Sequence, residues 1–260
     1  MKLHRLIEDV TQHGLGYIDQ RFDRRVPIGP IDAARLEIPF LNNAKQAACF
    51  EVGDIDAIYD LSIIPELVRL PYAHCWFEAF TDIGQERLAK YGLLVDEIES
   101  SRWCLWIFVG DLQDQFWLLG LAEMWREPAE ASGFAGRVLG KWHRDVQQIL
   151  MHAFAVVAKF LSALHCKNVT RIEHKPDPVH QKRRAKQGRA PLFSYWTLHL
   201  DLSSSARERA DQGGAHASPR LHLRRGHPRQ FKPGEWTWVQ PHVVGSKHGL
   251  VHKDYAVKVF

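Results

Sequence analysis

Between Tyr91 and Trp125 the chain carries three segments, YGLLVDEIE, RWCLWIFVG and FWLLGLAEMW, parted only by short polar breaks. Each is too short for a helix of its own, and Val, Ile, Trp and Phe suit a pleated surface. Parallel neighbours need long crossovers, so short breaks predict an antiparallel meander. A further strand, from about His74 to Phe80, leads into it. The segments do not alternate cleanly between apolar and polar, which predicts a sheet covered on both faces.

Around this block the pattern changes. Asp145 to about His165 is the clearest helix, because Ile149, Leu150, Ala153, Phe154, Val157, Phe160, Leu161 and Leu164 form one broad apolar stripe. It is expected to be central and packed on the sheet that follows it. Residues 3–23 place Leu3, Leu6, Ile7, Val10, Tyr17 and Ile18 at helical spacing, with a break at Gly14 and Gly16. Residues 26–31 read as a turn-rich link and 32–52 as a second helix, with a break at Pro39. Residues 127–143, rich in Gly, Ala and Pro, read as a connection.

In the last third, FSYWTLHLDL (193–202) alternates as a strand, with Trp196, Leu198, Leu200 and Leu202 on one side and Tyr195, Thr197 and His199 on the other. Residues 203–219 form a long polar loop. Three strands follow at about 220–229, 236–243 and 251–259, with PGE and GSKHG as turns. The expected fold class is α+β: N-terminal helices and an antiparallel meander, one long central helix, then a basic C-terminal antiparallel sheet. The regions are 1–62, 63–143 and 144–260, the alternative being that 63–260 forms one domain.

Charge divides the chain unevenly. Residues 1–170 hold 17 Lys and Arg against 23 Asp and Glu, whereas residues 171–260 hold 17 against 7. Nine of the 15 histidines also follow Thr170. Phosphate neutralisation is the usual reason for such a basic half, which therefore points to nucleic acid, RNA favoured. The competing reading is that the basic part docks on the acidic part of its own chain or of a partner.

The sharpest local feature is RLHLRRGHPRQ, residues 220–230. Simple alternation puts His222 and Arg224 on one face, and Arg225, His227 and Arg229 on the other. A β-bulge at Gly226 would instead gather His222, Arg224, His227 and Arg229. With Trp238, His242 and Tyr255 from neighbouring strands, this surface has the parts for metal-independent RNA cleavage. His222, His227 and His242 are the acid/base candidates, since imidazole titrates near neutral pH. Arg224, Arg225, Arg229 and Lys253 would hold phosphate, and Trp238 would stack on a base. Lys182, Arg183, Arg184 and Lys186, within the dense run HQKRRAKQGRAP, would extend the electrostatic track.

Other classes find less support. His216, His222, His227 and His242 lack the tight spacing of a zinc motif and lie among cations, so no metal and no cofactor is expected. Cys49, Cys75, Cys104 and Cys166 are far apart, without CxxC spacing, and read as buried hydrophobes. Walker, GxGxxG, GxSxG and HExxH motifs are absent from the sequence. Asp54 with Asp56, and Glu97 with Glu99, read as solvated acids. No run of about eighteen uninterrupted apolar residues occurs, and acids interrupt MKLHRLIEDVTQHG where a signal peptide needs its apolar core. The expected location is the cytosol.

KNVTRIEHKPDPVHQKRRAKQGRAPLFSYWTLHL, HASPRLHLRRGHPRQ, WTWVQPHVVG and GLVHKDYAV together resemble a family of phage and prophage proteins, as do LVRLPYAHCWFEAF and YGLLVDEIE upstream. The resemblance runs from about Ile64 to the C-terminus. Its specific part is RRGH at 224–227, Trp238–Val239, His242, Gly245 and Lys253–Asp254–Tyr255. It brings no activity with it. It implies a mobile-element gene acting in a bacterial cytosol on host machinery, by modifying or degrading nucleic acid or by inhibiting defence. Two functions therefore stand: a nucleic-acid binder with metal-independent ribonuclease chemistry as its further step, and a non-enzymatic inhibitor of a host or defence protein.

Overall fold

The computed structural model describes residues 3–19, 24–27, 30–54, 63–82, 88–110, 116–127, 134–141, 146–200, 222–224, 227–239 and 242–244. In chain order these give α1 (Leu3–His13), β1 (Gly16–Asp19), β2 (Arg24–Pro27), α2 (Pro30–Gln46) and β3 (Ala48–Asp54). After a 3-10 turn at Pro65–Leu67 come β4 (His74–Asp82), β5 (Leu88–Glu99), β6 (Arg102–Gly110), β7 (Phe116–Arg126) and β8 (Phe134–Lys141). Then follow α3 (Val146–Leu164), β9 (Val169–His174), α4 (Pro178–Lys186) and β10 (Tyr195–Leu200). The described chain ends with β11 (His222–Arg224), β12 (His227–Lys232), β13 (Glu235–Val239) and β14 (His242–Val244).

The fold is α+β, built on one mixed sheet of eight strands ordered β8-β7-β6-β5-β4-β3-β10-β9. From β4 to β8 each neighbour pairs antiparallel, which is the meander that the short breaks predict. β3 lies parallel to both β4 and β10, and β10 pairs antiparallel with β9. Strands from all three sequence regions thus share one sheet.

Both faces of the sheet are covered, and β6 shows why its sequence does not alternate in polarity. Trp103, Leu105 and Ile107 pack in a core with Leu150, Phe154, Val157 and Phe160 of α3. Trp106 and Phe108 pack on the other side with Phe40 and Ala44 of α2 and Leu3, Leu6, Ile7 and Val10 of α1. Apolar residues are needed at successive positions when neither face meets water. Each large side chain so buried stabilises the fold by about 1.5–3 kcal/mol before entropy is counted. Phe50, Phe77 and Phe160 form an aromatic contact set within the α3 core, with ring centroids 5.4–5.8 Å apart.

Several expectations change. α3 packs chiefly on the meander before it, because β9 and β10 join that same sheet instead of forming a separate one. Gln147–Leu164 is long and apolar enough to cross a bilayer, and half of that window is buried inside the protein. α2 runs through Pro39 without stopping. Phe40 and Ala44 beyond it are fully buried, so packing outweighs the hydrogen bond that proline removes.

The stretch read as a connection, 127–143, contains β8. Its glycine is what lets it pair: a Cβ at Gly136 would come within 2.1 Å of Met124 Sδ and 2.9 Å of the Glu123 carbonyl. α1 does break where expected. Gly14 takes φ +73° and its N–H donates to the Val10 carbonyl at 2.9 Å, ending the helix before β1.

At the C-terminus the expected strands at 220–229 and 236–243 are each split into two described pieces, and the third lies outside the described residues. The PGE turn carries Gly234 at φ +77°.

Candidate interaction surface

α4 is unusual among the helices because it buries no residue of its own, and Val179 is 71% exposed. Its sequence still starts and stops it sharply. The Asp177 carboxylate accepts from the Val179 amide at 2.9 Å, Pro178 occupies the first turn, and Gly188 at φ +66° lies beyond its end. In place of an apolar stripe, side-chain clamps hold it. Gln181 donates to the Leu192 carbonyl and accepts from the Leu192 amide, both at 2.8 Å. Arg184 Nε donates to the Ala190 carbonyl at 2.9 Å.

The main anchor reaches back to α1. Glu8 accepts from Arg184 at 2.5 Å, from Arg189 at 3.1 Å and from the Ala190 amide at 3.1 Å. Burial by itself would raise the Glu8 pKa, but hydrogen bonding by Arg189 and the charges of Arg184 and Arg189 outweigh it and hold the carboxyl below its usual value. Here the basic segment does dock on the acidic part of its own chain. Arg184, expected in a ligand track, is a structural residue, with its side chain only 13% exposed. An open groove of about 970 Å³ runs beside this anchor, lined by Arg5, Thr11, Gln12, Lys45, Arg189 and Phe193 among others.

The pH dependence follows from the sign of the shift. A carboxyl with a lowered folded pKa contributes stability that is present above its unfolded value, usually about 4.5, and lost as pH falls through the folded one. Urea midpoints should therefore fall more steeply from about pH 5 to 3 in the native protein than in Glu8→Gln. Equal acid slopes would show that Glu8 does not anchor α4.

With Arg184 and Arg189 committed, α4 presents Lys182, Arg183 and Lys186 to solvent. Among the described residues none of the three has an acidic partner. Lys182 and Lys186 lie four residues apart and so share a helix face.

The C-terminal strands place the backbone of the histidine candidates in two short ladders. His222 stands opposite Val244 and Arg224 opposite His242 in the β11–β14 register. His227 stands opposite Val239 and Arg229 opposite Thr237 in the β12–β13 register. The bulge weighed at Gly226 lies outside the described residues. Within the β12–β13 ladder the register shifts between Gln230 and Lys232. Phe231, between them, is 61% exposed.

Trp238 is not the stacking platform that its position suggested. It is 7% exposed and packs with Leu67 and Cys166. Asn168 fixes its backbone, donating to the Trp238 carbonyl at 2.8 Å and accepting from the Trp238 amide at 2.7 Å. Arg229 is exposed. Backbone placement alone is described for His222, Arg224, His227 and His242, whereas Arg225, Lys253 and Tyr255 lie outside the described residues.

Two buried acids escaped the sequence reading. Asp96 accepts from His74 Nδ1 at 2.8 Å, Asn43 Nδ2 at 2.9 Å and Trp106 Nε1 at 3.0 Å. Glu123 is held by Arg102 and by Arg137, the latter at 2.6 Å. Hydrogen bonding by Arg102 is the chief cause of its lowered pKa. Glu97 and Glu99 are solvated, as read. Burial pushes the thiols of Cys75 and Cys104 up to about 12 and that of Cys166 to about 11, so these three stay protonated and unreactive near neutral pH. Among the described residues no three His, Cys, Asp or Glu side chains come together as metal ligands.

Residues 57–246, from before β4 to beyond β14, match the model of the AcrVA2-like family, described as anti-CRISPR type V subtype A2. No curated protein matches the chain, and no solved structure does.

Proposed function

Because the chain belongs to the AcrVA2-like family of type V anti-CRISPR proteins, we propose that it disarms a type V CRISPR system by binding one of its protein components, without chemistry of its own. The family membership makes it a phage protein directed against bacterial defence. The proposed site of action is therefore the cytoplasm of the host. The observation that carries the binding reading is α4, a helix pinned by polar clamps that leaves Lys182, Arg183 and Lys186 exposed and without an acidic partner among the described residues. A partner with a complementary acidic surface would be steered to it and oriented by it.

The test is a pull-down of purified type V effector by the tagged protein, with and without guide RNA and nuclease. One-to-one capture that survives nuclease but fades in high salt is the expected result. Capture released by nuclease would transfer the role to nucleic acid.

That second reading rests on the hairpin, where Arg224 and His242 stand opposite one another. In it, His222, His227 and His242 supply acid and base, and Arg224, Arg225, Arg229, Lys253 and Tyr255 hold RNA. Incubation with labelled RNA in EDTA decides it. Cleavage lost in His222→Ala/His227→Ala would establish a ribonuclease, whereas intact RNA would leave the inhibitor.

A further inference from the structure

The eight-stranded sheet has two edges, β8 and β9. An edge strand offers unpaired N–H and C=O groups to any second strand, and proteins normally blunt it with bulges, proline or repelling charges. Among the described residues β9 carries no bulge and no proline, and β13 bonds to Lys167 and Asn168 just before β9 begins. Its pairing with β10 runs through all six residues without a register shift. Thr170, Arg171, Ile172 and Glu173 are exposed in succession, Ile172 at 43%. Among the described residues β10 is its only partner strand.

The sequence of this edge is self-complementary. In an antiparallel pairing centred on Ile172, that residue faces Ile172 of a second copy. Arg171 then faces Glu173 of the second copy, and Glu173 faces Arg171 of the second copy. An apolar pair at the two-fold axis is thus flanked by two opposite-charge pairs, the arrangement that stabilises neighbouring strands. Thr170 falls opposite His174. β8 offers no such register. Its sequence, FAGRVLGK, carries Arg137 and Lys141 and no acid, so self-pairing there gathers only cations.

We propose that β9 pairs edge to edge with β9 of a second copy, giving a two-fold dimer in which the two eight-stranded sheets become continuous. The pairing is independent of what α4 binds. Because α4 starts four residues after β9 ends, the dimer carries two basic helices, and two linked contacts hold a partner longer than one. A single strand pair buries little surface, so the dimer is weak and forms by mass action.

Sedimentation equilibrium of the full chain from about 1 to 100 µM tests this. The average mass should rise toward twice the monomer. Arg171→Glu and Glu173→Arg each create two like-charge pairs and should weaken the dimer at least about tenfold. The swap Arg171→Glu/Glu173→Arg should restore it. Both positions are exposed, and far-UV circular dichroism confirms that the variants fold. Ile172→Cys should give an interchain disulfide on oxidation, because directly opposed Cβ atoms lie about 4.5–5.5 Å apart. Thr170→Cys should not. A monomer at every concentration, a dimer indifferent to both charge reversals, or cross-linking of Thr170→Cys as efficient as that of Ile172→Cys would each overturn the proposal.

Discussion

Replacing Asp96 with leucine is expected to cost about 3–5 kcal/mol of stability, the largest loss from any single polar side chain in the fold. Asp96 is 6% exposed, at the end of β5 nearest α2. It accepts from Asn43 of α2, His74 of β4 and Trp106 of β6. Trp106 is itself 4% exposed, so its indole N–H has no water to turn to once the carboxylate is gone. Leaving a buried donor unpaired costs about 1–3 kcal/mol, and three donors lose their acceptor together. The melting temperature should fall by roughly 8–15 °C for a chain of this size.

Asp96→Asn keeps one accepting oxygen and the same shape, and should lose less than half as much. Asp96→Leu/Trp106→Phe should recover part of the loss, because one orphaned donor is then removed. A cost below about 1 kcal/mol for Asp96→Leu would mean that Asn43, His74 and Trp106 find other acceptors. The carboxylate would then not be what ties α2 to the sheet.

Why Asp96 escaped the sequence reading is instructive. In VDEIE it reads like its neighbours Glu97 and Glu99, and those two are solvated. Burial of an acid is decided by which donors arrive from elsewhere, here from positions 53, 22 and 10 residues away along the chain. Periodicity carries no information about such partners. It does carry information about strands and helices that repeat their own polarity, and so β4 to β7 and α3 were legible within a few residues. The alternation of 193–202 likewise puts Trp196 and Leu198 on one side and Tyr195 on the other, and the structure packs the first two in the α3 core and Tyr195 in the opposite one.

β8 was hidden because an edge strand with two glycines has no apolar face to announce it. Its place depends on Gly136 fitting beneath Met124, a property of the neighbour. The parallel contacts of β3 were hidden for a related reason. The nineteen residues between β3 and β4 allow a crossover, but no local signal says that β3 lies between β4 and β10.

At the candidate surface, charge was legible and partnership was not. The basic run 180–191 was recognised, yet its members divide by what they touch. Arg184 is spent on Glu8 and the Ala190 carbonyl, while Lys182, Arg183 and Lys186 are exposed. Trp238 was likewise recognisable as an aromatic on a basic hairpin. Only its packing with Leu67 and Cys166 shows that its ring faces inward.

That division sets the second large effect. Lys182→Glu/Arg183→Glu/Lys186→Glu should lower affinity for the type V component by at least about 100-fold at physiological salt, with unfolding unchanged within about 0.5 kcal/mol. The fold is indifferent because none of the three has an acidic partner among the described residues, and exposed charges contribute little to stability. Binding is not indifferent, because three reversals replace attraction with repulsion over one helix face.

Raising salt to about 0.5 M should shrink the difference between native and variant protein, since the screening length then falls below the spacing of most surface charges. Arg184→Glu is the contrasting variant. It sets a carboxylate against Glu8 and should loosen α4, so that stability and binding fall together. Loss of inhibition in Arg184→Glu with full inhibition in the triple variant would place the contact in the groove lined by Arg5, Lys45 and Arg189, where the anchor shapes the wall, and not on the exposed face of α4. Loss confined to the triple variant would assign it to Lys182, Arg183 and Lys186, with Glu8 and Arg184 as the mount that aims them.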